Sequence, residues 1–176
     1  MKLEYVLEQD DLVNYHLFLI SESKKSKIFL NFLRVGITVA FLFMSYKIYN
    51  QGRMFLALIA VCVAISFFLF FSKLYKSKLE KFYSEFVKKD YANKIGKLES
   101  IVFKNEYLIA NTKSGTDKIM VSEIEIINET QDNFFINISN NSTLIIPKRG
   151  IENIELIKEK WKDLKIPMAD YLSWKW

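Results

Sequence analysis

The sequence predicts a membrane α+β protein, a two-helix transmembrane hairpin joined to a small antiparallel β domain that a C-terminal helix caps. Two apolar runs flank the polar turn Asn50-Gln51-Gly52-Arg53. After Gly96, short segments of β character recur at roughly ten-residue spacing, with no helical stretch between them for a parallel sheet. An amphipathic helical pattern then follows Pro147.

Residues 1–27 form a first segment. Leu3, Tyr5 and Leu7 alternate with Glu4, Val6 and Glu8, which suits a short strand with one apolar face. Asp10 is placed to cap a helix running from Asp11 to about Glu22, where Leu12, Tyr15, Leu19 and Val13, Leu17, Ile20 recur at spacings of three and four. This helix is expected at a membrane surface or against the soluble domain, before Ser23-Lys24-Lys25-Ser26 leads into the first span.

Residues 28–72 form the hairpin, with spans at about 28–49 and 54–72. Met54 to Phe71 contains no charge, and at about 1.5 Å per residue it reaches about 27 Å, close to the hydrocarbon thickness of a bilayer. The first span holds Arg34 near one end and Lys47 near the other, where long basic side chains snorkel to the headgroups. A buried helix pair in a soluble core would need a far larger protein to cover an apolar surface all round.

Residues 73–95 read as a helical stalk that continues the second span, with Leu79, Phe82 and Phe86 as its apolar stripe. From 96 to 176 the expected strands are Lys97–Phe103, Tyr107–Thr112, Asp117–Val121, Glu123–Glu129, Asn133–Ser139 and Thr143–Pro147. Turns are signalled by Lys113-Ser114-Gly115-Thr116 and Ser139-Asn140-Asn141-Ser142. Ile151, Ile154, Ile157, Trp161 and Leu164 fall on one face of a last helix that Pro167 stops, with Trp161 in the core.

The net charge of +5 is unevenly distributed. Residues 96–176 carry eleven Lys and Arg against twelve Asp and Glu, whereas residues 1–95 carry fourteen against eight. A near-neutral soluble part whose aromatics sit at apolar periodic positions argues against nucleic-acid binding. Lys24, Lys25, Lys27 and Arg34 lie at the start of the hairpin and Lys73, Lys76, Lys78 and Lys81 at its end, while the turn has only Lys47 and Arg53. By the positive-inside rule both termini of this two-span protein face the cytoplasm and the turn faces outward. The single cysteine, Cys62, lies within the second span, so no intramolecular disulfide forms. The apolar runs do not suit a cleaved signal peptide, since the first begins near residue 28 and a second follows at once. Four sequons, at Asn128, Asn137, Asn140 and Asn141, read as by-products of an Asn-rich composition.

The residues offer little chemistry. His16 is the sole histidine and has no neighbouring Ser or Cys motif, so neither a nucleophilic triad nor a zinc set is expected. The five glycines, Gly36, Gly52, Gly96, Gly115 and Gly150, make neither a P-loop nor a dinucleotide fingerprint. Glu123, Glu125 and Glu129 resemble a paired-carboxylate site but read as a solvated edge or face, Glu123 and Glu125 sharing one face of a strand whose Ile124 and Ile126 point inward. No cofactor or metal is implied. Lysines near an anionic leaflet contribute on the order of 1 kcal/mol each. Lys73, Lys76, Lys78 and Lys81 are therefore candidates for lipid contact, together with Lys148 and Arg149 at the junction of the last strand and helix, which could also meet an acidic partner. Tyr171, Trp174 and Trp176 crowd the end of the chain, where rings suit a bilayer interface or a fold back against the sheet.

The opening Tyr5-Val6-Leu7-Glu8-Gln9-Asp10-Asp11-Leu12, the lysine-bearing link into a two-helix hairpin, and Leu144-Ile145-Ile146-Pro147-Lys148-Arg149 before the last helix resemble the bacterial YcxB-like membrane proteins. The resemblance implies two spans, a cytoplasmic domain similar to pleckstrin-homology folds with the terminal helix capping a bent antiparallel sheet, no established catalytic activity and no site to carry over. The expected function is a non-enzymatic membrane protein whose β domain docks or regulates. Its partners would be the lipid bilayer, a protein, and, if it self-associates, a second copy. The alternatives are an immunity protein against a membrane-active toxin and an anionic-lipid sensor.

Overall fold

A computed structural model of the chain describes residues 2–104, 106–112 and 115–175. They fall into two compact units, one of residues 2–16 with 83–175 and the other of residues 17–82. Lys113 and Ser114 of the expected turn, and Trp176, lie outside the described residues.

The first unit holds two four-stranded sheets. In one, β1 (Lys2–Val6), β2 (Leu98–Phe103), β3 (Tyr107–Thr112) and β4 (Gly115–Met120) lie in that order, all antiparallel. The alternation of Leu3 and Tyr5 with charged neighbours gives β1 one buried face, as expected. Its partner is β2, with Lys2 opposite Val102 and Val6 opposite Leu98. The other sheet has the order β7 (Ser142–Pro147), β6 (Asn133–Ile138), β5 (Ile124–Thr130), β8 (Met168–Tyr171). The strand β8 is absent from the sequence expectation and runs parallel to β5, so the second sheet is mixed and not wholly antiparallel. Four residues containing Ala169 and Asp170 give no β periodicity by themselves; β8 exists because β5 offers it an edge.

The central strand β6 is buried on both faces, which explains why Phe134, Phe135 and Ile136 run together without alternation. Phe134 meets the fully buried Trp161 edge-on at 4.8 Å between ring centroids. Phe135 faces the opposite way, toward Tyr15 at 5.4 Å. Trp161 belongs to α4 (Ile154–Asp163) and also lies 6.1 Å from Phe103 of β2, so one indole joins both sheets. Tyr15 belongs to α1 (Gln9–Glu22).

Local chemistry moves several boundaries. The acidic side chain that receives an N–H at the start of α1 is Asp11, which accepts from Glu8 at 2.8 Å, and not Asp10. Glu123 is not in a strand: it sits in a 3-10 turn, Val121–Glu123, where its carboxylate accepts the Met120 N–H at 2.9 Å. The pairing of β5 with β6 shifts between Ile124 and Ile126, a bulge that interrupts simple alternation. Asn153 caps α4 by accepting the Leu156 N–H at 3.0 Å, leaving Ile151 outside the helix. The helix stops before Pro167, at Leu164 and a left-handed Lys165 (φ 56°).

The second unit contains the apolar helices. Ser23 Oγ accepts the Ser26 N–H at 3.3 Å and starts α2 (Lys24–Asn50). A tight turn with Gly52 at φ 78° leads into α3 (Met54–Asp90), one continuous helix of 37 residues. The expected stalk is thus helical as far as Asp90. The two helices pair antiparallel: Ser45 Oγ donates to the Ala57 carbonyl at 2.8 Å, and Arg34 Nε donates to the Phe68 carbonyl at 2.9 Å. Ala57 and Ala64 are buried at this contact, small enough for close approach. Both helices are long and apolar enough to cross a membrane.

Candidate functional site

The polar residues at the end of β7 form the densest charged assembly in the first unit. Pro147 ends the strand and fixes φ at −66°, and the following 3-10 turn, Lys148–Gly150, aims Lys148 and Arg149 in different directions. Arg149 closes on α1. Its Nη1 and Nη2 donate to Asp11 Oδ1 and Oδ2 at 2.7 and 2.5 Å, its Nη2 also donates to the Val6 carbonyl at 2.9 Å, and its Nε lies 3.3 Å from Glu8. The fork meets the carboxylate bidentately, which gives direction as well as charge. Asn133, with its amide nitrogen turned to the Asp132 carbonyl (3.2 Å) and Asp11 Oδ1 (3.0 Å), completes the shell of the buried Asp11.

Lys148 turns to Glu129 of β5. Its Nζ donates to Oε1 at 2.8 Å while lying 4.7 Å from the centre of the Phe134 ring. The two side chains are only 10% and 8% exposed, so this is a buried ion pair. Lys158 of α4 reaches the same carboxylate at 3.1 Å, and its pKa is raised, first by that hydrogen bond. The structure therefore places Lys148 and Arg149 in ion pairs within the first unit. Lys73, Lys78 and Lys81 are exposed on α3, and Lys76 lies 3.5 Å from Glu80.

Two further titratable sites lie apart from this junction, the half-buried His16 and the buried pair Tyr5 and Glu99. His16 stacks on Tyr83 with ring centroids 4.9 Å apart, and Phe86 and Tyr91 stand edge-on to it. Burial lowers its pKa, and its Nε2 has no hydrogen-bond partner among the described residues. Glu99 lies opposite Tyr5 across β1 and β2; burial raises its pKa, against the hydrogen bond from Tyr5 and the charge of Lys94. Burial and the adjacent Glu99 charge push the Tyr5 hydroxyl well up. Among the described residues, no group of three His, Cys, Asp or Glu side chains is arranged to hold a metal ion.

A groove of 590 Å³ runs between β1 and the start of α4, lined by Leu3, Gly150, Ile151 and Leu156 among others. Its charged rim includes the exposed Lys2–Glu4 ion pair and Glu152, none of them buried. A Cβ on Gly150 would stand 3.3 Å from the Glu4 carbonyl oxygen, so glycine is what lets the turn lie against β1. Glu125 is exposed, as expected of a solvated face.

Sequence reasoning singled out Lys148 and Arg149 but missed the carboxylates that hold them. An acidic residue in the first turn of a helix was the available signal for Asp11; Glu129, expected like Glu125 at a solvated edge or face, is instead buried one residue before the end of β5. Asn133 carried no such mark. The Arg34 guanidinium lies across the Phe68 ring at 3.8 Å and its Nε donates to that residue's carbonyl, contacts that its sequence position did not signal.

Residues 103–160, from the end of β2 through most of α4, match the YcxB-like protein family. The resemblance seen in Leu144–Arg149 falls inside that stretch, and the chain carries a YcxB-like segment preceded by two helices of membrane-spanning length and apolarity. Comparison with curated proteins gives no match.

Proposed function

We propose that this chain is an integral protein of a bacterial cytoplasmic membrane, held by the α2–α3 hairpin, and that its β domain is a non-catalytic docking or regulatory module. The observation that carries the reading is the outward apolar surface of the hairpin. Phe32 keeps 76% of its surface exposed and Phe55 75%, and large aliphatic side chains project all round both helices. Water penalises such a surface by about 25 cal/mol per Å², whereas lipid accepts it and leaves the helices' own hydrogen bonds intact.

Orientation follows from charge. Lys24, Lys25, Lys27, Lys73, Lys76 and Lys78 gather at the open end of the hairpin, against Lys47 and Arg53 near the turn, which favours both termini on the cytoplasmic side. The non-catalytic reading rests on how the reactive residue types are spent. His16 is packed among aromatic rings, Cys62 lies in a span, and Lys148, Arg149, Asp11 and Glu129 neutralise one another. The two sheets joined through Trp161 of α4 favour a domain of pleckstrin-homology type.

The test is membrane extraction with protease mapping. The full chain is expected to stay in the membrane pellet after an alkaline carbonate wash, and protease added outside spheroplasts is expected to leave residues 96–176 intact. Release by carbonate, or trimming of the β domain from outside, overturns the proposal. So does steady turnover of a substrate by the purified protein that a substitution in the β domain abolishes.

A further inference from the structure

The second unit contains a charge that its own residues do not neutralise. Arg34 lies ten residues into α2, about 15 Å along the axis from Lys24. Its Nε donates to the Phe68 carbonyl at 2.9 Å and its guanidinium covers the Phe68 ring at 3.8 Å, which fixes the plane and direction of the group. The N–H groups on Nη1 and Nη2 have no hydrogen-bond acceptor among the described residues. Residues 17–82 contain just two carboxylates, Glu22 and Glu80, and each stands beside a lysine, Lys27 at 3.3 Å and Lys76 at 3.5 Å. A guanidinium cannot neutralise itself by losing its proton, and a charged group within a span is costly unless an anion or acceptor meets it.

We propose that Arg34 is the anchor of a binding site for one anionic phospholipid, whose phosphodiester accepts from the Nη1 and Nη2 fork. The depth fits. Phe68 precedes Lys73 by five residues, about 8 Å along α3, so the fork lies one to two turns beneath the lysine layer, where the phosphate and glycerol of a lipid are found. The fork of two parallel N–H groups matches two phosphate oxygens, while the Phe68 carbonyl keeps the guanidinium from swinging away. The exposed Lys73 and Lys78 above select the headgroup: a zwitterionic one brings its own cation into a cationic layer, and an anionic one does not. The site uses the hairpin alone and rests on the membrane reading, not on the role given to the β domain.

The test uses the full-length protein reconstituted into bilayer nanodiscs of phosphatidylcholine with phosphatidylglycerol as the minor lipid. The protein is re-extracted in mild detergent, and the phospholipids that stay with it are counted by mass spectrometry. Wild type is expected to retain phosphatidylglycerol in excess of its share of the bilayer. Arg34→Gln should lower that retention about tenfold, the loss of a charge-assisted bidentate contact, and Arg34→Lys, which keeps the charge without the fork, should fall between. Lys47→Gln, at the opposite end of α2, should match wild type. Retention by helical, monodisperse Arg34→Gln equal to that of wild type overturns the proposal, and so does wild-type retention of both lipids in bilayer proportion. Should Arg34→Gln misfold, Arg34→Lys decides by the same comparison. A wild-type chain that enters no bilayer at all would overturn the membrane reading itself, a different result from losing the lipid at Arg34.

Discussion

The two units of this chain use the same side chains in opposite ways. In the β domain, aromatic and branched residues turn inward until Phe134, Ile136 and Trp161 have essentially no exposed surface, and the buried acids Asp11 and Glu129 meet cations while Glu99 meets the Tyr5 hydroxyl. In the hairpin, Ala57, Ala64 and Ser45 are buried between the helices, Phe71 is a buried ring near the end of the second apolar run, and most other large side chains face out. Water drives the first arrangement, because apolar area gains by leaving it. In lipid, the medium proposed for the hairpin, that gain would vanish, and close backbone approach with a few polar contacts, such as Ser45 to Ala57, would hold the helices together. Polar groups obey the same contrast: Glu129 answers Lys148 within the β domain, whereas Arg34 finds a ring and a carbonyl but no carboxylate.

Breaking the core of one unit should leave the other intact. The largest expected effect is from Trp161→Ala, which removes the ring shared by Phe103 and Phe134 and should cost about 3–5 kcal/mol. The near-ultraviolet circular dichroism of the β domain should collapse at a temperature where wild type holds, while the protein stays in the membrane fraction. Glu129→Ala strands two lysines, one of them buried, and should cost about 3 kcal/mol in the same melt. The reverse experiment is Val63→Arg, at an outward position midway along the α3 span. It should disfavour insertion by about 2.5–3.5 kcal/mol, read as loss of the carbonate-resistant fraction, without shifting the melt of the β domain.

The smallest effect concerns pH. Burial lowers the His16 pKa below 6.5, so the folded state binds fewer protons than the unfolded chain between the two values. Stability from this group is complete above 6.5 and is lost as pH falls through the lowered value. His16→Phe keeps a ring against Tyr83 and removes the titration, so its melting temperature should fall less between pH 7 and 5.5 than that of wild type. Parallel lines for the two proteins would refute the assignment.

How much of this was legible beforehand depends on how local each cause is. The apolar runs, the strands of the two three-stranded meanders, the buried Trp161 and the helix before Pro167 are written in periodicity and turn residues, which act over a few positions. The parallel strand β8 is not, since Met168–Tyr171 becomes a strand only by pairing with Ile127–Thr130, some forty residues earlier. The same holds for the charged junction. Lys148 and Arg149 are conspicuous as a basic pair beside a proline, yet their partners Glu129 and Asp11 come from another strand and from a helix before the hairpin. Glu123 shows the limit from the other side: its period of two with Glu125 is real, but a backbone N–H three residues back claims it first.

The pairing of Lys2 with Val102 sets an order of manufacture. A ribosome delivers β1 first, then both greasy helices, and only a hundred residues later the strand that β1 needs beside it. The leading strand must therefore wait, unzipped, while the two helices are made, and the barrier to completing the sheet includes closing that very large loop. The β domain is consequently not a detachable tail: a fragment starting after the second helix would be born without its own first strand and would expose the flank of β2 to any neighbour willing to zip onto it.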